Sequence, residues 1–346
     1  MTRNPQITLM YHESSLRHSP GPGHSESPKR ASEILNWAEM NHLTVETARA
    51  ASKEEILSVH DEELYRLVEM TQKEPIAFTG DTLSNEHTFK AAIHSAGAAI
   101  ESIARSTVNC HFFSFARPPG HHATRERAQG FCYFNSIAIG VDQLLKRDSS
   151  VNRAVIIDHD NHFGNGTYEI FEESSDVLYI SLHADPRWCY PGWGSIADIG
   201  QGDGEGYNIC ITMPLRASDL DYKLAFEQTV IPIIRQFEPD RVVCSVGFDA
   251  YRKDPLGVLG LSEDGYRLLG TKIVKDIGDY NSIPVTHILE GGYNIRALSG
   301  LMGAYLSPYL DHEGEIPKLK DSPTKTQTQN VLNQLQDILS PFWTFS

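Results

Sequence analysis

Four short runs of apolar and β-branched residues constrain the fold of this chain more than any other feature. They occupy residues 154–157, 177–182, 242–246 and 283–289. Runs of this kind are typical of strands that are buried on both faces of a sheet. Segments with helical periodicity accompany them at 88–104, 135–146, 221–237 and 262–277. Strands that alternate with helices predict an α/β fold, in which a parallel sheet has helices on both faces.

The two ends of the chain differ from this alternating region. Residues 12–30 are rich in Ser, Pro, His and Gly, which predicts an irregular surface arm. Residues 311–346 predict a polar loop followed by a C-terminal helix at 329–340. A further strand is predicted at 112–115, and Asn85 and Ser262 are predicted to cap helices. Because no repeat or long linker divides the chain, we predict a single domain over residues 1–346.

The composition argues against several classes of function. A net charge of −15 makes nucleic acid or an anionic membrane an unfavourable partner. No run of about 18 apolar residues predicts a membrane span, and the N-terminus lacks the pattern of a secretory signal. The five cysteines form no C-x-x-C pair, so we expect reduced thiols in a cytoplasmic protein. Composition leaves homo-oligomer formation open.

Chemically active residues directly follow four predicted strands. RPPGHH follows the strand at 112–115, DHDNH follows 154–157, GFD follows 242–246 and EGGY follows 283–289. In open parallel sheets, ligands bind outside the carboxyl ends of the strands. We therefore expect the four segments to form one site.

Asp160 and His162 have the spacing of a metal-binding pair. In extended backbone, two residues at this spacing point to the same face. Asp249 would complete a three-ligand site with an open position, which a catalytic zinc ion requires, and the same ligands suit Fe²⁺ or Co²⁺. A D-x-H pair alone is more typical of turn residues that bond the backbone. Asp249 and the neighbouring histidine pair favour the metal site.

His121 and His122 follow a Pro-Pro-Gly turn that presents two imidazoles side by side. Hydrolysis of an amide by metal-bound water needs a base for the water proton and an acid for the leaving nitrogen. Contact with Asp158 would keep His121 charged, whereas contact with Asn165 would leave His122 neutral. The alternative is one core histidine and one surface histidine.

Tyr293 follows Gly291 and Gly292, which allow the backbone to approach a ligand closely. Its phenol could donate a hydrogen bond to a developing oxyanion. A packed aromatic residue after an ordinary turn is the alternative. Asp158 is in phase with Asp160, and its oxygens are candidate ligands for a monovalent cation or partners for a histidine.

These residues together resemble the histone deacetylase superfamily, including bacterial deacetylase-like enzymes and acetylpolyamine amidohydrolases. The resemblance spans about residues 10–305. The motifs that carry it, in chain order, are GPGHSESPKR (21–30), RPPGHHA (117–123), GFCYFN (130–135), DHDNHFGNGT (158–167), SLH (181–183), GFDAYRKDPLG (247–257) and EGGYN (290–294).

The resemblance implies an arginase-like fold with about eight parallel strands in one domain. It implies a zinc ion bound by Asp160, His162 and Asp249. It further implies that His121 and His122 are the acid/base pair and that Tyr293 activates the carbonyl. It also implies a potassium ion bound, in part through backbone carbonyls, by Asp158, Asp160, His162, Ser181 and Leu182. The substrate-binding residues it implies are Asp81, Gly130, Phe131, Tyr190, Leu256, Gly291 and Gly292. Phe131 and Tyr190 would line a narrow tunnel. For Asp81, a rim carboxylate that orients substrate, helix capping is the alternative.

Several positions depart from the common pattern of that superfamily. His159 and Asn161 replace the usual apolar residues, and Phe163 replaces a frequent second histidine. Their effect on the potassium site stays open. Ser25 and Ser27 stand in the arm where Pro and Arg are common, so its docking is expected to differ.

The leading prediction is a zinc-dependent amidohydrolase that removes acetyl or another short acyl group from an amine by attack of metal-activated water. Acyl-lysine, acetylated polyamines and small acylamines all fit, but Leu256 stands where a polyamine-selective relative carries Glu, which favours acyl-lysine. A ureohydrolase of arginase type would need a second metal, and Tyr251 stands where its extra carboxylate is wanted. A non-catalytic acyl-lysine binder would lack a ligand, a histidine or the tyrosine, and all of these are present.

Overall fold

Eight parallel strands form one sheet at the centre of the protein. The computed structural model describes residues 6–280, 282–310, 319 and 325–345. The strand order is β2-β1-β3-β8-β7-β4-β5-β6, which confirms the predicted sheet. The strands are β1 (Gln6–Tyr11), β2 (Val45–Thr47), β3 (Cys110–Ser114), β4 (Ala154–Asp158), β5 (Val177–Ala184), β6 (Asn208–Met213), β7 (Arg241–Val246) and β8 (Val285–Leu289).

Helices cover both faces of this sheet. A π-helical turn, Phe226–Val230, joins α7 to α8, and another, Lys272–Asp279, extends α9. The helices are α1 (Pro28–Met40), α2 (Lys53–Leu57), α3 (Glu62–Met70), α4 (Thr88–Arg105), α5 (Ser136–Arg147), α6 (Asn165–Phe171), α7 (Asp219–Ala225), α8 (Ile231–Phe237), α9 (Glu263–Thr271), α10 (Ile295–Tyr305), α11 (Ser307–Leu310) and α12 (Thr326–Leu339). None of the described helices is long and apolar enough to cross a membrane.

The register of the central strands places their carboxyl ends at one edge. Asp158 at the end of β4 pairs with Ser181 of β5 and with Ser245 of β7. Every residue of β4 and β5 is buried, as expected for strands that carry continuous apolar runs. The segments that follow β3, β4, β7 and β8 therefore meet at this edge, as the sequence predicts.

Of the two predicted helix caps, the structure confirms Ser262 and not Asn85. The Ser262 side chain caps α9 by accepting from the Gly265 N–H. Asn85 does not cap α4, because the N-cap is His87; the Asn85 side chain instead accepts from the His87 N–H. Strands β1, β2 and β6 and several helices were not predicted, since polar residues interrupt their apolar patterns.

The arm at residues 12–30 differs from its prediction. A short 3-10 helix occupies Glu13–Leu16, and α1 begins at Pro28. Glu26 and Arg30 are fully buried. The Glu26 carboxylate accepts from both Arg117 and Arg30, and these guanidinium groups offset its desolvation. The arm is therefore anchored in the interior beside the RPPGHH turn by Glu26 and Arg30, while Glu13, Arg17 and Lys29 remain exposed at the surface.

The C-terminal helix lies close to its predicted position. Thr326–Leu339 packs against β6 and α7, and Leu332, Leu335 and Leu339 are buried. The Trp343 indole N–H donates to the Gly206 carbonyl at 2.7 Å. The polar loop was predicted over 311–328; residues 311–318 and 320–324 of it lie outside the described residues, and its last three residues belong to α12.

Candidate functional site

Three ligand-type side chains converge at the carboxyl edge of the sheet. Their ligand atoms, one each from Asp160, His162 and Asp249, all lie within 4.8 Å of one another. The Nδ1 atom of His162 is 3.1 Å from Asp160 Oδ1 and 3.0 Å from Asp249 Oδ2. Both aspartates are buried, and the His162 side chain retains only 14% exposure. Among the described residues, this is the one group of three or more His, Cys, Asp or Glu side chains with such geometry.

The backbone that presents the pair differs from the predicted extended strand. Strand β4 ends at Asp158, so Asp160 and His162 lie in a bend. Carboxylates fix this bend: Asp160 Oδ1 accepts from the His162 N–H, and Asp249 Oδ1 accepts from the Asn161 N–H, both at 2.9 Å. The ligands therefore meet because each carboxylate bonds the backbone of the same loop, and not because of strand alternation.

The charges of these groups fit a bound cation. Burial and repulsion from Asp160 raise the pKa of Asp249 to about 7. Burial lowers the pKa of His162, but its hydrogen bonds to the carboxylates of Asp160 and Asp249 outweigh burial and raise that pKa well above 6.5. A positive charge is therefore stabilised between the carboxylates, and a divalent ion would supply it. Two carboxylate oxygens and one imidazole nitrogen suit zinc, Fe²⁺ or Co²⁺.

Glycines keep the space around the carboxylates open. A Cβ atom at Gly247 would lie 2.3 Å from Asp160 Oδ2, and one at Gly291 would lie 2.3 Å from Asp249 Oδ2. The Gly291 N–H donates to Asp160 Oδ2 at 2.7 Å. Gly291, which the family resemblance places among the substrate-binding residues, supports a ligand carboxylate in the structure.

The two adjacent histidines have different partners, as predicted. His121 Nδ1 is 3.0 Å from Asp158 Oδ2, and His122 Nδ1 is 2.8 Å from Asn165 Oδ1. Burial lowers the pKa of His121, but the carboxylates of Asp158 and Asp160 outweigh it and raise that pKa to about 10. Burial and the charges of His121 and His162 lower the pKa of His122 well below 6.5. His121 is thus stabilised as a cation and His122 as a neutral imidazole.

The residues predicted to bind potassium lie together below this pair. Ser181 and Leu182 are on β5, beside Asp158. The Asp158 carboxylate accepts from the Tyr179 hydroxyl and the Asp160 N–H. The Ser181 hydroxyl shares a hydrogen bond with His183 at 2.8 Å. The Asp158 carboxylate has about four lone-pair sites, so these partners leave it able to bind a cation as well, and the potassium site stays a prediction.

The three departures from the superfamily pattern lie around the metal-site loop. His159 is fully buried against the rings of Tyr266 and Tyr305, and neither of its nitrogens has a hydrogen-bond partner. Burial lowers its pKa to about 4, so it is neutral. Asn161 Oδ1 accepts from the N–H groups of residues 258 and 259. Phe163 packs on Trp193. None of the three displaces a predicted ligand.

A cavity of about 270 Å³ leads from the surface to His122 and His162. The rings of Phe131 and Tyr293 meet edge-on at 5.7 Å between centroids, as do those of His122 and Tyr190 at 4.9 Å. The lining contains five of the seven predicted substrate-binding residues, and Gly291 and Gly292 are not among them. It consists of Asp81, His122, Gly130, Phe131, His162, Trp188, Cys189, Tyr190, Leu256 and Tyr293.

The structure excludes the helix-capping alternative for Asp81 and adds two residues to the predicted lining of the cavity. Asp81 is at the entrance, where its carboxylate accepts from the Thr79 and Thr82 hydroxyls. It does not cap a helix, since α4 begins seven residues later. Trp188, 59% exposed, and Cys189 were not predicted. Their neighbour Tyr190 was the one signal that could have indicated this segment.

Gly292 is not part of the lining. Its φ of +116° and a Cβ position 2.6 Å from the Phe248 Cβ atom require glycine there. Glu290 belongs to the EGGY segment that was expected at the site, although no role was predicted for it, and it is fully buried. Its Oε2 atom accepts from the N–H groups of Gly120 and His121 at 2.7 and 3.1 Å, and burial raises its pKa to about 7.

A parallel eight-stranded sheet with an Asp-His-Asp group at its carboxyl edge defines an arginase-like α/β protein with a candidate hydrolytic metal site. Comparison with known proteins narrows this class. Residues 24–308 match the model of the histone deacetylase domain. The crystal structure of the HDA15 HD domain superimposes with a TM-score of 0.88 at 31% identity, covering 98% of this chain and 96% of that one. The protein belongs to the histone deacetylase family of hydrolases.

Individual relatives show how far the similarity extends. Histone deacetylase 15 of Arabidopsis thaliana is 37% identical over 306 residues, which are 86% of this chain and 53% of that protein. A probable deacetylase of Archaeoglobus fulgidus is 31% identical and is matched over 98% of its length, with 97% of this chain covered. The chain thus spans about half of the plant protein and nearly all of the archaeal one.

Proposed function

We propose that this protein is a zinc-dependent amidohydrolase that removes acetyl or short acyl groups from lysine side chains. One observation carries the proposal: a ligand of the Asp-His-Asp group, a histidine that is hydrogen-bonded to a neutral amide, and a tyrosine all line the same cavity. These are the groups that hydrolysis of an amide by metal-activated water needs. The test is turnover of an acetyl-lysine peptide by the zinc-loaded protein; absence of product would contradict it.

The residues of the chain have separate tasks in this reaction. A zinc ion held by the three ligands would polarise the acyl carbonyl and lower the pKa of a water molecule. His122 donates from Nδ1 to Asn165 Oδ1, so its Nε2 atom is free to accept the water proton and to pass it to the leaving amine. His121, held as a cation by Asp158, stabilises developing negative charge.

Tyr293 acts as a hydrogen-bond donor to the carbonyl oxygen. Burial raises the pKa of its phenol well above 10, so the hydroxyl remains protonated at neutral pH. Such a donor is worth more for the transition state than for the substrate, because the charge on the oxygen grows as the water attacks.

The division of tasks predicts unequal effects of removing the two histidines. His122→Ala should lower kcat more than His121→Ala, because it removes the proton acceptor itself, while both variants should retain the metal. Steady-state rates and metal content of both variants test this, and an equal or reversed loss of kcat would contradict the assignment.

The same assignment predicts the pH profile of the wild type. Since the pKa of His122 lies well below 6.5, its protonation should not lower wild-type kcat/KM between pH 8 and pH 6.5. Rates measured across this pH range test the prediction.

Substrate choice follows from the walls of the cavity. Phe131 and Tyr190 provide aromatic walls that suit an alkyl chain, and Leu256 provides no charge. Asp81 provides a single carboxylate in the lining, at the entrance. A polyamine would bring ammonium groups further into this space, and burying one without a partner costs several kcal/mol. We therefore expect a higher kcat/KM for acetyl-lysine peptides than for acetylspermidine or acetylputrescine.

Leu256→Glu tests the origin of this preference. The added carboxylate should raise kcat/KM for acetylpolyamines and so narrow or reverse the preference. Leu215→Glu is the matched control, because Leu215 is 40% exposed and does not line the cavity. A wild-type preference for acetylpolyamines would contradict the proposal and favour the acylpolyamine alternative.

The other functions have weaker support. Ureohydrolase chemistry needs a second metal, and the described residues contain one cluster with metal-ligand geometry. A non-catalytic acyl-lysine binder does not require the complete set of metal ligands, histidines and tyrosine that this chain contains. We propose a cytoplasmic location on the grounds that all five cysteines are free thiols, and a potassium ion bound beside Asp158 on the family resemblance.

A further inference from the structure

Asp254 holds the backbone of Tyr293. It does not line the cavity and is only 8% exposed. Its Oδ2 atom accepts from the N–H groups of Tyr293 at 2.7 Å and Asn294 at 3.0 Å. Hydrogen bonds to a carboxylate are stronger than bonds between neutral groups. A buried carboxylate therefore holds the peptide N–H of the same residue whose phenol lines the cavity.

The other oxygen of Asp254 organises its own loop. Oδ1 accepts from the N–H groups of Leu256 at 2.9 Å and Gly257 at 3.3 Å. This loop also carries Asp249, and a Cβ atom at Gly257 would overlap the Asp249 carbonyl at 1.7 Å. One carboxylate thus connects two loops. The loop after β7 carries the metal ligand Asp249 and the cavity residue Leu256, and the loop after β8 carries the Tyr293 phenol.

Two further side chains, those of Arg30 and Asn294, restrict the same segment. Arg30 donates from Nε to the Gly292 carbonyl at 2.8 Å and from Nη2 to the Glu290 carbonyl. The Asn294 side chain donates to the Lys253 carbonyl at 2.7 Å. Arg30 donates to backbone carbonyls and Asp254 accepts from backbone N–H groups. The peptide groups around Tyr293 therefore have side-chain partners for both their oxygen atoms and their N–H groups.

We propose that Asp254 is a positioning residue that sets where the Tyr293 hydroxyl stands relative to Asp249. The inference rests on the proposed role of Tyr293 as oxyanion donor. A donor must be held close to the position of the developing charge, and a shift of about 1 Å can cost on the order of 100-fold in rate. Asp254 itself does not touch the substrate.

Asp254→Asn is the direct test, because the side chain keeps its size but replaces one acceptor oxygen with an amide that cannot accept. We expect kcat for an acetyl-lysine peptide to fall by about tenfold or more, with KM changed less than kcat. Metal content per chain should remain that of the wild type. Thermal unfolding verifies that the variant is folded; if it is not, Asp254→Glu, which keeps the charge, replaces it.

A double-mutant cycle separates positioning from a general structural role. In the Tyr293→Phe background there is no hydroxyl to misplace, so Asp254→Asn should change kcat by less than about twofold. Asp240→Asn is the matched control. Asp240 Oδ2 also accepts from two successive N–H groups, those of Asn152 and Arg153 at 2.8 and 3.1 Å, but at the amino end of the sheet. It should leave kcat unchanged.

Two results would overturn the inference: an unchanged kcat in Asp254→Asn, or an equal loss of kcat in the wild-type and Tyr293→Phe backgrounds. Turnover by the wild-type protein in the same assay tests the proposed function separately. A wild type that cleaves the peptide while the cycle is additive would leave the function standing and exclude the positioning role.

Discussion

Asp249→Ala and His162→Ala are each expected to lose the bound metal ion and to abolish turnover. Each variant leaves two protein ligands, and two ligands do not hold zinc in competition with water. The Asp249 carboxylate also accepts from the Asn161 N–H at 2.9 Å, so its removal loosens the loop that carries the other two ligands. Elemental analysis after dialysis and turnover of an acetyl-lysine peptide measure the two effects.

Two further variants make this experiment specific. Asp249→Asn keeps an oxygen for the Asn161 N–H but presents a weaker, uncharged ligand, so it should also lose metal. His94→Ala, on α4 and outside the site, should retain metal and activity. Stoichiometric zinc and near-wild-type turnover in Asp249→Ala or His162→Ala would show that the ligand assignment is wrong.

Tyr293→Phe is expected to lower kcat by about 10²–10³-fold, as the loss of one oxyanion donor typically does. The substitution removes only the hydroxyl, so the ring contact with Phe131 and the backbone bonds to Asp254 remain possible. Metal content should therefore equal that of the wild type, and KM should change less than kcat. Rates at saturating substrate, together with metal analysis, measure the effect.

Tyr280→Phe provides the control for this variant. Tyr280 is 61% exposed and does not line the cavity, so losing its hydroxyl should leave kcat unchanged. An unchanged kcat in Tyr293→Phe would exclude the tyrosine as the donor, whatever the behaviour of the control.

The sequence predicted the parts of the fold that depend on continuous local pattern. The runs that became β4, β5, β7 and β8 are apolar because these strands are interior strands of the sheet. Strand β2 has only three residues, at one edge, and β6 at the other edge is largely buried but has Asn208 and Thr212 among its apolar residues. Strand β1 mixes Gln6 and Thr8 with its apolar residues, and its pattern was too weak to indicate a strand.

Residues within one motif of the site were predictable, whereas residues that act on distant backbone were not. Asp160, His162 and the histidine pair lie in short segments with distinctive composition. Asp254 bonds an N–H group 39 residues away, and Glu290 bonds one 170 residues away. A backbone N–H group has the same chemistry in every residue except proline, so the sequence gives no sign of which carboxylate it will meet.

The arm illustrates the same limit for charged residues. Glu26 and Arg117 are 91 residues apart and form a fully buried pair. A segment rich in Ser, Pro and Gly is usually exposed, and only the folded chain brings the guanidinium group that stabilises the carboxylate in the interior.

The central claim is that one metal ion per chain, held by Asp160, His162 and Asp249, is needed to hydrolyse an acyl-lysine amide. The most direct measurement is a titration of chelator-treated wild-type protein with zinc, following turnover of an acetyl-lysine peptide. We predict no turnover in the metal-free protein and full recovery at one equivalent of zinc per chain. Full turnover without metal, or recovery only at two equivalents, would contradict this account, and the second result would favour ureohydrolase-type chemistry.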